Sequence, residues 1–274
     1  MNALRSLAAG ILLGLSLVAG AADPVAFISD FKGDVAMNGA GRPPFLAELL
    51  PGTKLALAAG ASAAVMYVAS GEEFSLKGPG EFLVTLKGVQ ATKGAAPASR
   101  VPPTRVGTAV LVEVSRTATA SLRMRSAFVP RGERPGPVYP VGGRIATLQP
   151  TLRWTGEPGA TYSVVVTSVS GKEVFRGTSK GPSLRLPARL SAGQGFLWSF
   201  SAGGGEPGEA RFETLPTDAI AAAEKARAAT RTFADRVLLA LLLQDLGAAQ
   251  DAQEVWAQLA AERPDIPELA GLAR

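Results

Sequence analysis

The sequence predicts a mainly β, multidomain protein made of an antiparallel β domain, a β-sandwich domain and a C-terminal α-helical hairpin. Residues 49–86 alternate short apolar runs with glycine turns, and residues 149–215 repeat that pattern around two tryptophans. From Thr217 onward the composition becomes alanine-rich, and leucines then recur at helical spacing. A period of two indicates strands, whereas a period near 3.6 indicates helices.

The amino-acid composition excludes several kinds of site chemistry. The chain has 274 residues and a formal net charge of +5, and it contains neither cysteine nor histidine. It therefore has no disulfides, no thiolate or imidazole metal ligands, and no histidine to serve as a general base near neutral pH. We predict that it is not an enzyme and that it uses no cofactor and no metal.

A carboxylate-based hydrolase of polysaccharides remains open as an alternative, because acids alone can carry that reaction. Such an enzyme needs two acids that face one cleft. The acids near the central apolar segment are Glu72, Glu73 and Glu81, and all three fall at predicted turns.

Residues 1–22 have the features of a secretory signal. Arg5 supplies a positive charge, residues 7–18 supply a short apolar core, and small residues allow cleavage after Ala21 or Ala22. The apolar run is short for a membrane span. We predict a periplasmic or secreted protein with no transmembrane segment after signal cleavage. Retention of the segment as an anchor is the alternative.

The first domain, residues 23–129, is organised around residues 49–86. Ala64, Met66 and Val68 alternate with Val65 and Tyr67, so the two sets face opposite sides of one strand. Glycines between the runs permit tight turns. Further strands are predicted at residues 25–28, 34–37, 110–114 and 120–125, and a loose surface excursion is predicted at residues 92–104.

Five short motifs follow one another in this domain. They are GDV at 33–35, LPGTKL at 50–55, ASAAVMY at 61–67, SGEEFSL at 70–76 and GPGEF at 78–82. Their spacing over residues 25–90 resembles the FecR-type domain, although Ser70 stands where that family has an acid. The resemblance implies a periplasmic module of a signalling or assembly complex. Because the sequence shows no counterpart of the transmembrane relay segment of named members, a scaffold or adaptor role is expected.

The second half of this domain is basic. Arg123 and Arg125 alternate with apolar residues in a predicted strand and point outward. They are candidate binding residues for peptidoglycan or another anionic polymer. Ordinary solvated charge on a one-sided sheet is the alternative. We expect no nucleic acid partner, because the chain is exported and the patch lacks interleaved aromatic residues.

Residues 130–148 are rich in proline and glycine and predict a linker. Residues 149–215 then predict a series of short strands that form a sandwich. Trp154 and Trp198 lie mid-strand at inward positions, so they are predicted to face each other across two sheets, with a sugar-stacking platform as the alternative. The order P-x-L-x-W followed by W-x-F resembles fibronectin type III and related immunoglobulin-like modules.

Residues 216–274 predict a helical tail. A leucine-rich helix ends at Gly247, and the next helix carries Trp256 and ends at Pro264. With Ala252, these residues make the segment similar to one tetratricopeptide repeat. A single repeat cannot bury its own core, so it must pack on the rest of the chain or on a partner. The candidate partner contacts are Leu238, Leu241 and Leu242.

The sequence as a whole predicts a non-enzymatic exported envelope protein. We expect a FecR-domain scaffold or adaptor that acts through protein–protein contacts in a periplasmic signalling or assembly complex. Its partner would be another envelope protein. The alternative function is a cell-wall or glycan-binding protein that uses the basic β surface.

Overall fold

The computed structural model describes residues 23–102, 104–106, 114, 136–203 and 205–273. Nearly all of its strand pairs are antiparallel, and a helical region follows the last strand, which confirms the predicted mainly β fold class. Buried apolar side chains form two separate cores. One core joins the first β unit to the helices, and the other fills the sandwich. No helix of the described residues is long and apolar enough to cross a membrane.

The first β unit consists of two antiparallel sheets. The inner sheet has the order β3-β1-β5-β6-β9, and the outer sheet has the order β2-β4-β7-β8. The strands are β1 (Ala26–Lys32), β2 (Val35–Met37), β3 (Glu48–Leu49), β4 (Lys54–Leu57), β5 (Ser62–Tyr67), β6 (Glu73–Lys77), β7 (Gly80–Val84), β8 (Val89–Lys93) and β9 (Ala98–Arg100).

The inner sheet is covered on both faces. Phe27 and Ile28 are adjacent in β1 and are both buried, so they belong to opposite faces of the sheet. Phe27 and Met66 line a small cavity together with Leu238 of the helical region. The helices therefore cover one face of the inner sheet, and the outer sheet covers the other. A strand that is buried on both faces loses the clean apolar–polar alternation of a one-sided sheet.

Four helices form the C-terminal region. They are α1 (Thr217–Ala229), α2 (Phe233–Asp245), α3 (Ala249–Glu262) and α4 (Glu268–Leu272). A capping box between Thr232 and Asp235 begins α2, and Gly247, at a φ of 79°, lies in the turn before α3. Trp256 of α3 meets Phe45 of the first β unit edge to face at 6.3 Å.

The sandwich also has two sheets, with the orders β10-β12-β15 and β11-β17-β16-β13-β14. Trp154 and Trp198 lie on different sheets and are both buried, with ring centroids 6.1 Å apart. The predicted core contact is therefore confirmed. The strands are β10 (Pro137–Tyr139), β11 (Arg144–Ile145), β12 (Thr151–Trp154), β13 (Thr161–Ser168), β14 (Glu173–Lys180), β15 (Ser183–Arg185), β16 (Gly195–Ala202) and β17 (Gly208–Thr214).

Two segments predicted to be irregular contain strands. Of the predicted linker, residues 136–148 carry β10 and β11, which pair with β12 and β17, so this part belongs to the sandwich. Pro137 is tolerated because it is the first residue of an edge strand. Likewise, β9 lies within the predicted loose stretch 92–104 and pairs with β6. Both segments lie at sheet edges, where proline and small residues give no strand signal.

Two strand predictions fall largely on residues that are not described. The strand predicted at residues 120–125 lies wholly outside the described residues. Of the strand predicted at residues 110–114, only Val114 is described; it is buried and helical, so the strand prediction is wrong at that residue.

A buried polar cluster fixes the sandwich to the helices. The Asp251 carboxylate of α3 accepts hydrogen bonds from the Ala146 N–H at 2.9 Å, the Tyr139 hydroxyl at 3.2 Å and Arg227 Nη2 at 3.2 Å. Burial raises the pKa of Asp251 above its ordinary value, although these three partners oppose the shift. Burial and the neighbouring carboxylate also raise the pKa of Tyr139, so its hydroxyl stays protonated and can donate.

A second polar cluster fixes the helices to the first β unit. Arg263, which follows α3, donates to Asp30 at 2.8 Å, to the Phe31 carbonyl at 2.7 Å and to Asp265 at 2.8 Å. Its guanidinium carbon also lies 5.2 Å from the centre of the Phe233 ring. The guanidinium therefore uses both its charge and its fork of donors to join elements that are distant in sequence.

Candidate functional site

The structure places the predicted partner contacts of the helices inside the chain. Leu238 and Leu241 are fully buried, and Leu242 is partly buried against the same core. The helical region packs on the inner sheet, so these leucines pack against the rest of the chain. Neither Leu238 nor Leu241 is available on a surface for a partner.

The two candidate arginines, Arg123 and Arg125, lie outside the described residues, so their binding role stays a prediction. Two other members of the basic region, Lys93 and Arg100, are described and are paired with acids. Lys93 contacts Glu81 at 2.7 Å, and Arg100 contacts Glu73 at 2.7 Å. Arg100 Nη2 also donates to Asp235 at 2.8 Å. These pairs neutralise two of the positive charges of this region, whereas Lys87 and Arg105 stay exposed.

All three tryptophans of the chain are buried, as Trp154, Trp198 and Trp256 each expose 3% of their surface or less. A sugar ring cannot stack on an indole that is covered by protein. The alternative of a sugar-stacking platform at Trp154 or Trp198 is therefore wrong, because the two indoles fill the space between the sheets. The Trp198 Nε1 also donates to the Pro140 carbonyl at 2.9 Å.

The acids considered for hydrolysis do not share a cleft. Glu73 begins β6 and is buried beside Arg100, whereas Glu81 lies in β7 on the exposed face of the outer sheet. The prediction that both lie in turns is therefore wrong, because each occupies a strand. In the part of the chain that the structure describes, no group of three or more acids is arranged to hold a metal ion.

The exposed face of the outer sheet is a further candidate surface of the described chain. In β4, Leu55 and Leu57 point into the core, so Lys54 and Ala56 point outward by the two-residue period of a strand. Ala56 lies between Ala36 of β2 and Glu81 of β7 in the strand register. We call the outward-facing residues Ala36, Lys54, Ala56, Glu81, Leu83 and Thr92 the outer face.

Two adjoining depressions lie on the outer face, with volumes of about 470 and about 530 Å³. They share Ala36, Ala56 and Glu81. Small side chains on neighbouring strands produce this shape, because an alanine leaves the backbone of the sheet exposed where a longer residue would cover it. The further lining residues include Asp34, Pro79 and Lys93 in the first depression and Asn38, Lys54 and Leu83 in the second.

Close backbone contacts hold the rim of the first depression. A Cβ atom added to Gly78 would lie 1.9 Å from the Ala58 carbonyl oxygen, and one added to Gly94 would lie 2.6 Å from the Pro79 carbonyl oxygen. Only glycine permits these approaches. The β4–β5, β6–β7 and β8–β9 connections are thus packed closely against one another, which fixes the shape of this rim.

The chemistry of the outer face is that of a contact surface. Its floor is apolar and contains no exposed aromatic ring, and its rim carries Asp34, Lys54 and the Glu81–Lys93 pair. The charges of the rim balance. Such a surface can bury apolar area and can accept or donate hydrogen bonds at its edge, but it offers no nucleophile paired with a base.

Sequence reasoning missed the outer face, although one signal was present. Alanine is uncommon at an exposed strand position, and Ala36 and Ala56 both occupy outward positions of predicted strands. Their lateral pairing depends on the register between β2 and β4, which a single sequence does not reveal.

No protein-family model matches this sequence, and no curated protein matches it. Among solved structures, the chain has a partial likeness to the crystal structure of CopC from Methylosinus trichosporium OB3b. The likeness covers 31% of this chain and 96% of that one, at 22% sequence identity and a TM-score of 0.24. At this TM-score the likeness supports no conclusion about the fold or the function of this chain.

Proposed function

We propose that this chain is a non-enzymatic exported envelope protein, a FecR-type scaffold or adaptor that acts through protein–protein contacts in a periplasmic signalling or assembly complex. Export rests on the signal-like residues 1–22, and the FecR-type assignment rests on the five motifs between residues 33 and 82. The observation that carries the proposal is the outer face, where an apolar floor is surrounded by a polar rim with balanced charge.

Protein interfaces combine an apolar centre with a polar, hydrated edge, and the outer face has this arrangement. The rest of the first β unit supports it rigidly. The inner sheet and the helices lie behind the outer sheet and share one apolar core with it. A partner that binds Ala36 and Ala56 therefore meets a surface that needs little reordering, which lowers the entropic cost of association.

A cross-linking experiment tests this proposal. A photoreactive amino acid at position 56 should cross-link one specific envelope protein in intact cells, and Ala56→Arg should reduce recovery of that protein at least about tenfold by placing a long charged side chain on the floor. Ser163 of β13 is the matched control, because it is also exposed in the middle of a central strand. The same changes at position 163 should leave recovery unchanged, and equal effects at both positions would reject the outer face as the contact.

The second candidate function is binding of peptidoglycan or another anionic polymer. Lys87 and Arg105 are exposed in the first β unit and could contribute to it with Arg123 and Arg125. A pull-down with purified peptidoglycan over a range of salt concentrations separates the two functions. Retention that falls steeply with salt and is lost on charge reversal of Arg123 and Arg125 favours the polymer, whereas no retention at low salt removes it.

A further inference from the structure

The exposed large apolar residues of the first β unit gather at one end of it. In the described residues of this unit they are Leu50, Leu86 and Val101, with exposures of 43%, 74% and 64%. They come from three different connections of the chain. A single exposed apolar residue is ordinary on a protein surface, but several at one end indicate a contact.

Hydrogen bonds place Leu50 and Leu86 at the same end. Leu50 begins the turn between β3 and β4, and Leu86 lies in the turn between β7 and β8. These two turns are joined where the Gly52 N–H donates to the Val84 carbonyl at 2.8 Å and the Val84 N–H donates to the Thr53 carbonyl at 2.9 Å. Both leucines therefore extend beyond the end of the β4–β7 ladder.

Val101 reaches the same end from the opposite edge of the inner sheet. It directly follows Arg100, which pairs with Glu73 at the start of β6. The turn before β6 follows Tyr67 of β5, and the Tyr67 hydroxyl donates to the Thr85 carbonyl beside Leu86 at 2.9 Å. The three residues thus lie at the same end of the first β unit, which we call the apolar end.

The described chain also begins at the apolar end. The Val25 N–H donates to the Leu49 carbonyl, and the Val25 carbonyl accepts from the Val68 N–H, both at 3.0 Å. The apolar segment 7–18 precedes Asp23 by only a few residues. Five residues span at most about 18 Å. If residues 1–22 are retained as an anchor, which is the alternative to cleavage, the apolar end is within about 18 Å of the bilayer surface by the same bound.

We propose that the apolar end contacts a phospholipid surface, with Leu50, Leu86 and Val101 inserted at the level of the headgroups. These side chains project from turns, and a bilayer accepts projecting apolar side chains without a matching pocket. Lys87 and Arg105 are exposed nearby and can contact lipid phosphates. The acids at this end are Asp23, Glu48 and Glu72, so apolar insertion rather than net charge provides the attraction.

Single cysteine labels test this proposal directly, because the chain has no cysteine of its own. The variants are Leu86→Cys, Val101→Cys and, as the control, Val169→Cys. Val169 is 72% exposed but lies in the sandwich, in the turn between β13 and β14. Each exported protein carries an environment-sensitive fluorophore and is mixed with vesicles of phosphatidylethanolamine and phosphatidylglycerol. We expect a blue shift, and quenching by spin-labelled lipids, at positions 86 and 101 but not at position 169.

A binding measurement with the unlabelled protein completes the test. Leu86→Asp should lower partitioning onto the same vesicles about tenfold, because one leucine side chain leaves the apolar phase, whereas Val169→Asp should not change it. Equal responses at positions 86, 101 and 169, or no quenching by spin-labelled lipids at positions 86 and 101, would overturn the proposal. Neither result concerns the outer face, so the proposed function is tested separately.

Discussion

Arg263→Ala should weaken the packing of the helical region on the first β unit more than substitution of an exposed residue does. Arg263 is buried and donates to Asp30, to Asp265 and to the Phe31 carbonyl. Its replacement removes every one of these donors at once. The Asp30 carboxylate and the Phe31 carbonyl then remain at a largely buried site without their partner.

The expected loss of stability depends on how exposed the partners of Arg263 are once the arginine is removed. Removing one member of a buried ion pair costs about 3–5 kcal/mol. The Asp30 side chain is 21% exposed and that of Asp265 is 52% exposed, so water can rehydrate part of the site. We therefore expect a loss of about 3 kcal/mol in the free energy of unfolding, at the lower limit of that range. Arg263→Lys keeps the charge but not the planar fork of donors, and it should lose a smaller amount.

Urea unfolding followed by circular dichroism measures the loss, and hydrogen exchange read by mass spectrometry shows where it occurs. Exchange should rise in α3, α4 and β1 and stay unchanged in β13 and β16 of the sandwich. Arg231→Ala is the control, because the Arg231 side chain is exposed and donates to the nearby Ala228 and Thr230 carbonyls rather than across to the first β unit. A loss for Arg263→Ala no larger than that of the control would show that Arg263 does not hold the helical region on the first β unit.

Three further predictions concern individual residues. The folded state raises the pKa of Asp251, so the stability of the wild type falls as the pH rises from 3.8 through the folded-state pKa. Asp251→Asn should therefore gain stability relative to the wild type across this rise, as measured by urea unfolding at several pH values. A difference in stability that does not change with pH would contradict this prediction. Burial tends to raise the pKa of Asp235, but hydrogen bonds from Arg100 and from backbone N–H groups outweigh burial and hold the pKa below its ordinary value. The stabilisation from this carboxylate is therefore complete above pH 3.8 and is lost as the pH falls below it. The deficit of Asp235→Asn should accordingly shrink on acidification, and a deficit that persists at low pH would exclude the carboxylate as its source. Gly78→Ala should cost about 1–3 kcal/mol in the same unfolding measurement because its Cβ would lie 1.9 Å from the Ala58 carbonyl oxygen. Gly205→Ala should cost less, because the nearest atom to its Cβ would be the Ala202 carbonyl oxygen at 3.3 Å.

Local patterns of the sequence were sufficient for the elements and the fold class. The alternation in residues 54–57 reports which side of β4 is buried, and the leucine spacing of residues 237–246 reports a helix. The inward positions of Trp154 and Trp198 likewise identified the sandwich core. Each of these signals arises from the geometry of one element, so a short window of sequence contains it.

The candidate surfaces depended on contacts between distant segments. Ala36 and Ala56 form one floor only through the register of β2 against β4, and Leu50, Leu86 and Val101 share one end only because three connections converge there. The helical leucines show the same limit, because their spacing indicates an apolar stripe but does not say whether the inner sheet or a partner covers it. Strand register and the docking of helices are set by packing across the whole unit. For that reason the sequence determined what this chain is made of, and the tertiary structure decided which of its surfaces remain free to bind.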